Sequence, residues 1–70
     1  MTEQLNELES KLKQQDWTWE MSDDSSAYSK GRESEMKLRE AAKDLGSEGI
    51  ALFNKYYNAY AYPKGNELKD

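Results

Sequence analysis

The apolar residues of this chain recur at helical intervals in three blocks, separated by short polar or glycine-bearing breaks. In the first block Met1, Leu5, Leu8 and Leu12 follow one another at 4-3-4 spacing, and the intervening positions are polar. That narrow seam predicts a helix from Thr2 to about Gln15 that touches one neighbouring helix. Thr2 suits its N-cap, and Glu3 falls in the first turn, where the helix dipole favours an anion.

The second block is sparser. At about 100° per residue, Ala27, Gly31, Ser34, Leu38, Ala41, Ala42 and Leu45 share one face. The predicted helix starts between Asp23 and Ser26, with Ser22, Asp24, Ser25 and Ser26 available as caps, and runs to Leu45, where Gly46 supplies a left-handed stop. The first half of this face, Ala27–Gly31–Ser34, has almost no side-chain volume, so a large group must cover it to avoid a void. The opposite face carries Glu33–Lys37 and Glu35–Arg39 at i,i+4 spacing and is expected to be solvated.

The third block, IALFNKYYNAYAY, is the most apolar. Ser47 is its expected cap, and Pro63 forbids its continuation. Ile50, Phe53 and Tyr57 should point inward, with Tyr56, Tyr60 and Tyr62 at the margin or on the surface. Residues 64–70, KGNELKD, are expected to form a frayed polar tail.

Composition narrows the fold class. Valine is absent and isoleucine occurs once, so strands have little to build from. The expectation is one all-α domain over residues 1–70, with helices two and three as a hairpin and an acidic N-terminal helix beside it. A chain of 70 residues buries only about 60% of its unfolded surface. With neither cysteine nor histidine, it lacks disulfides, thiolate metal sites, the usual zinc ligands and the usual general base at neutral pH. No apolar run is long enough for a membrane span, and no basic-then-apolar leader opens the chain, which points to a soluble protein of the cytoplasm.

Charge is unevenly placed. Residues 1–24 hold seven acids against two lysines, a net of −5, while the remainder has a net of +1. The acidic third suits a basic protein partner better than nucleic acid. In helix two, Lys30, Arg32, Lys37, Arg39 and Lys43 alternate with Glu33, Glu35, Glu40 and Asp44, so no single-sign stripe forms for a phosphate backbone.

The segment DWTWEMSDD, residues 16–24, concentrates the unusual chemistry. As a calcium loop starting at Asp16 it fails, because Met21 stands where glycine is required and Ala27 where a bidentate glutamate is required. No serine or threonine has a histidine to activate it, and no phosphate-binding glycine loop occurs. Neither catalytic residues, nor a metal, nor a cofactor is therefore expected. Trp17 and Trp19 alternate with Met21, so an extended link would place them on one side, with one indole over Gly31.

The run WTWEMSDDSSAYSKG resembles a pattern in small accessory proteins of tailed bacteriophages: an aromatic doublet, Ser-Asp-Asp, then a helix with an aromatic and a glycine. The matching positions are Trp17, Trp19, Ser22, Asp23, Asp24, Tyr28 and Gly31, about fifteen residues of the chain in all. The resemblance implies a phage protein that modulates a host enzyme in the host cytoplasm, and it transfers no catalytic residue.

The functional expectation is a non-catalytic module that binds a basic host nucleic-acid-processing protein, its carboxylates standing in for phosphates. Glu3, Glu7, Asp16, Trp17, Trp19, Glu20, Asp23, Asp24, Tyr56, Tyr60 and Tyr62 are the candidate contact residues. The competing expectation is a homodimer or assembly protein that uses the Leu5–Leu8–Leu12 seam and the tyrosine face.

Overall fold

The computed structural model describes residues 2–62 and 64–69, without the side chain of Thr2. It is all-α: α1 (Thr2–Gln14), α2 (Ser25–Asp44) and α3 (Gly46–Tyr60), with one 3-10 turn at Trp19–Met21. Helices α2 and α3 form the hairpin, and α1 packs against both. The expected contribution of Met1 to the seam, the Thr2 cap and the Pro63 stop lie outside the described residues.

Local chemistry accounts for the boundaries. Asp24 caps α2, its carboxylate accepting the Ser26 N–H at 2.9 Å. At the far end the chain reverses through one residue, Leu45, whose N–H donates to the Ala42 carbonyl. Gly46 then adopts φ of +75°, the left-handed stop the pattern predicts. The expected Ser47 cap is corrected: α3 already begins at Gly46, flanked by Leu45 without a side-chain cap. A reversal this tight leaves no room for a separate capping residue. It also brings the two backbones together, since a Cβ on Gly49 would lie 2.3 Å from the Ala42 carbonyl oxygen. At its end α3 closes at Tyr60, where Ala61 turns extended and donates its N–H to the Tyr57 carbonyl.

The main core joins all three helices. Leu8 and Leu12 of α1, Leu38 and Ala42 of α2, and Phe53 and Tyr57 of α3 meet there, with Trp17 inserted from the link. Phe53 and Leu12 are completely buried, and each contributes about 1.5–3 kcal/mol by leaving water. This corrects the self-association seam. Leu8 and Leu12 are consumed inside the molecule and Leu5 is half-buried, because the partner helices that the seam sought are this chain's own α2 and α3.

The frayed tail is corrected as well. Leu68 is buried in the core cluster. Its N–H donates to Asn54 Oδ1 and its carbonyl accepts from Asn54 Nδ2, both at 2.8 Å. The Asn66 N–H donates to the Tyr57 hydroxyl at 3.1 Å. One leucine and one side-chain amide on α3 thus hold an otherwise polar segment. Among the described residues no helix is long and apolar enough to cross a membrane.

Candidate partner-binding surface

The link between α1 and α2 is built from side chains that cover the small-residue strip of α2. Trp19 lies on Gly31: a Cβ there would come 2.1 Å from the Trp19 Cβ and 2.6 Å from its Cγ. Only glycine permits the contact. Gln15 covers the next turn. Its amide nitrogen donates to the Gly31 and Asp16 carbonyls, and its oxygen accepts from Ser34 Oγ at 2.6 Å. The strip is therefore filled as its small volume required, by an indole and a glutamine that the sequence pattern did not single out.

Both indoles are buried, Trp17 at 8% and Trp19 at 6% exposure. They are thus corrected as free contact residues. Trp17 meets Phe53 and Tyr57 edge-on, at 5.5 and 6.1 Å between ring centres, and its Nε1–H donates to the Leu12 carbonyl. That carbonyl belongs to the last turn of α1, where helix geometry leaves acceptors open. Trp19 instead donates to Glu35 Oε1 at 3.0 Å. The other Glu35 oxygen accepts from Arg39 Nε at 3.1 Å and lies 3.0 Å from a second guanidinium nitrogen. Arg39 in turn sits 5.0 Å from the centre of the Phe53 ring.

Glu35 was expected on a solvated face and is instead 7% exposed. The reason is the indole N–H of Trp19, which needs an acceptor once the ring is laid across α2. By contrast the Glu33–Lys37 pair is exposed at 3.5 Å as expected, and contributes only about 0.3–0.5 kcal/mol.

The carboxylates of the acidic third do different jobs. Asp16 Oδ1 accepts from both the backbone N–H and the hydroxyl of Thr18, which sets the turn after α1. Asp24 is the α2 cap. Among the described residues Glu3, Glu7, Glu20 and Asp23 are exposed, their carboxylates in neither a hydrogen bond nor an ion pair. Glu3 and Glu7 stand on the opening turns of α1, about 20 and about 14 Å along the axis from Asp16. The eleven expected contact residues therefore do not form one patch. Among the described residues no three acids converge in a way that could hold a metal ion.

The tyrosines divide equally sharply. Tyr56 is buried, and its hydroxyl donates to Glu9 Oε2 at 2.9 Å. Burial first, and then the hydrogen bond to the Glu9 carboxylate, push the Tyr56 phenol above its ordinary pKa. Tyr60 stacks on Tyr56 at 6.1 Å but is 61% exposed. Tyr62 is equally exposed, while its backbone N–H donates to the Trp17 carbonyl at 3.3 Å. Tyr56 and Tyr60 line a concave space of about 330 Å³ together with Leu12, Trp17, Lys13, Asp16 and Thr18. Of the expected contact residues, this surface gathers Asp16, Trp17, Tyr56 and Tyr60, with Tyr62 tied to it through the Trp17 backbone.

Comparison with protein-family models, with curated proteins and with solved structures returned no match to this chain.

Proposed function

We propose that the protein acts by binding another protein, without turnover of its own, at the concave surface between the end of α1 and the end of α3. The observation that carries this reading is Tyr60, a large amphipathic ring held by stacking on Tyr56 yet open to solvent on the rim of the concavity. An aromatic anchor that is already oriented loses little conformational freedom on binding, which is why tyrosines recur at interface hot spots. The accessible part of this surface is the Tyr60 ring with the exposed Lys13, Asp16 and Thr18 around it, an arrangement that suits a partner side chain able to stack and to hydrogen-bond. The overall charge of −4 favours a basic partner and speeds its encounter.

Affinity capture from the native host's lysate tests the reading, with the wild-type chain and Tyr60→Ala compared at low and high salt. A hot-spot tyrosine contributes about 2 kcal/mol, so the variant should retain its specific partner roughly 30-fold more weakly. Binding to a basic partner should also weaken as salt rises. A partner retained equally by wild type and Tyr60→Ala would overturn the assignment of this surface.

A further inference from the structure

The outward side of α2 carries a row of residues at i+4 spacing: Tyr28, Arg32, Met36, Glu40 and Asp44. All five are exposed, Tyr28 at 41% and Met36 at 52%. Among the described residues the side chains of Arg32, Glu40 and Asp44 have neither hydrogen bond nor ion pair. Tyr28, Arg32, Met36 and Glu40 also border a shallow concave space of about 610 Å³, larger than the one beside Tyr60. Tyr28 also lies edge-on to Trp19 at 5.0 Å, while Arg32, Met36, Glu40 and Asp44 are used by neither the proposed binding surface nor the core.

Its order is the informative feature. Read from Met36 in either direction, each charge meets the opposite charge at the same distance: Arg32 one turn before, Glu40 one turn after. Tyr28, with a phenol to donate, and Asp44, with a carboxylate to accept, stand two turns out on either side. A row of this kind is complementary to itself when reversed. We propose that it mediates a reversible antiparallel homodimer, in which two α2 helices cross at Met36.

In that pairing Met36 meets the second copy's Met36, Arg32 meets the second copy's Glu40, and Tyr28 meets the second copy's Asp44. The two-fold axis then repeats each polar pair, as an isologous interface requires. A parallel pairing in the same register would set Arg32 against Arg32 and Glu40 against Glu40, so the charge pattern selects the antiparallel arrangement. The neighbouring Glu33 and Arg39 are related in the same way about Met36, although Arg39 is already engaged by Glu35. A contact through one helix face falls below the roughly 1,200 Å² of a stable interface. The dimer is accordingly weak, quickly exchanging and sensitive to salt.

Sedimentation equilibrium over a wide concentration range reads the proposal. It compares the wild type, Arg32→Glu, Glu40→Arg, the double variant, and an equimolar mixture of the two single variants. Each single reversal places like charges together at two symmetry-related contacts and should weaken association by about 10-fold or more. The double variant should recover it, and the mixture should associate although neither component does so alone. Circular dichroism confirms that each chain remains helical, and Met36→Ala supplies a charge-neutral variant expected to weaken association as well. A wild-type chain that stays monomeric at millimolar concentration would overturn the proposal and leave the row to a helix of another protein. Folded single variants that associate as well as wild type, or a double variant no better than the singles, would overturn it equally.

Discussion

Trp17 and Trp19 are two residues apart, both buried and both hydrogen-bonded through the indole nitrogen, yet they are held by different means. Trp17 enters the main core among Phe53, Tyr57 and Leu12, and its acceptor is a backbone carbonyl at the end of α1. Trp19 is buried outside that cluster, against Gly31 and edge-on to Tyr28 at 5.0 Å. Its acceptor is a side-chain carboxylate that Arg39 also holds. Trp17 is thus secured by many shared apolar contacts. Trp19 is secured chiefly by one missing Cβ and one hydrogen-bonding side chain. The first arrangement resists single changes elsewhere, whereas the second depends on two identifiable residues.

Trp17→Ala should give the largest effect, because it opens a cavity at the junction of all three helices. A loss of about 4 kcal/mol is expected, comparable with the roughly 3–5 kcal/mol that a core of this size supplies. Chemical denaturation or circular dichroism should find the variant largely unfolded at room temperature.

Gly31→Ala should come next, and its sign should depend on Trp19. In the wild type the new Cβ collides with the base of the indole rather than a flexible tip, and overpacking of this kind costs about 3 kcal/mol. Trp19→Ala would keep the Cβ that lies 2.1 Å from the new methyl group, so the collision is gone only in a Trp19→Gly background. The same change should then stabilise by up to about 1 kcal/mol, through the better helix propensity of alanine. Urea denaturation of the four chains of this cycle measures both values, and equal effects in both backgrounds would refute the contact.

Glu35→Ala should be milder, at about 2 kcal/mol, since it leaves the Trp19 N–H and a largely covered guanidinium without an acceptor. Glu35→Gln keeps an oxygen for the indole and should recover about half of that loss. Neither change should alter the emission of Trp17, which a single-tryptophan background can verify.

The smallest effect concerns Tyr56. Its phenol is raised above the ordinary value, so the folded state holds the proton longer than the unfolded chain does. The contribution is complete below the unfolded pKa near 10. It is lost as pH climbs through the higher folded value. Tyr56→Phe should therefore flatten the decline in thermal midpoint above pH 10, with the Trp17 and Trp19 environments unchanged at neutral pH.

The three helices and the hairpin were legible because the apolar spacing repeats over several turns, and because Asp24 and Gly46 are strong boundary residues. The need for a large group over Ala27–Gly31–Ser34 was legible too, since three small residues at helical intervals imply something to fill them. Which indole would do so was not, because alternation alone places Trp17 and Trp19 equivalently. Glu35 was misplaced because an i,i+4 pair with Arg39 has the same sequence in water and beneath a ring. Leu68 gave no periodic signal, and its partner Asn54 lies on a helix whose apolar pattern says nothing about a side-chain amide. The leucine seam was correctly read as a helix contact, but its partners lie within the same chain.

In the candidate surface, the tyrosine surplus pointed to the end of α3. Only the structure separated Tyr60 and Tyr62 from Tyr56, which a hydrogen bond to Glu9 draws inward. The acidic residues were grouped by sequence proximity, and helix length then placed Glu3 and Glu7 far from Asp16.

The link between α1 and α2 is a structural joint, with Trp19 seated on Gly31. Iodide quenching of Trp19 fluorescence in a Trp17→Phe chain, with and without Gly31→Ala, tests it most directly. Trp19 should be shielded and blue-shifted over Gly31, and readily quenched once Gly31 gains a methyl group. A Trp19 that iodide reaches freely in the presence of Gly31, or one that Gly31→Ala leaves unchanged, would contradict it.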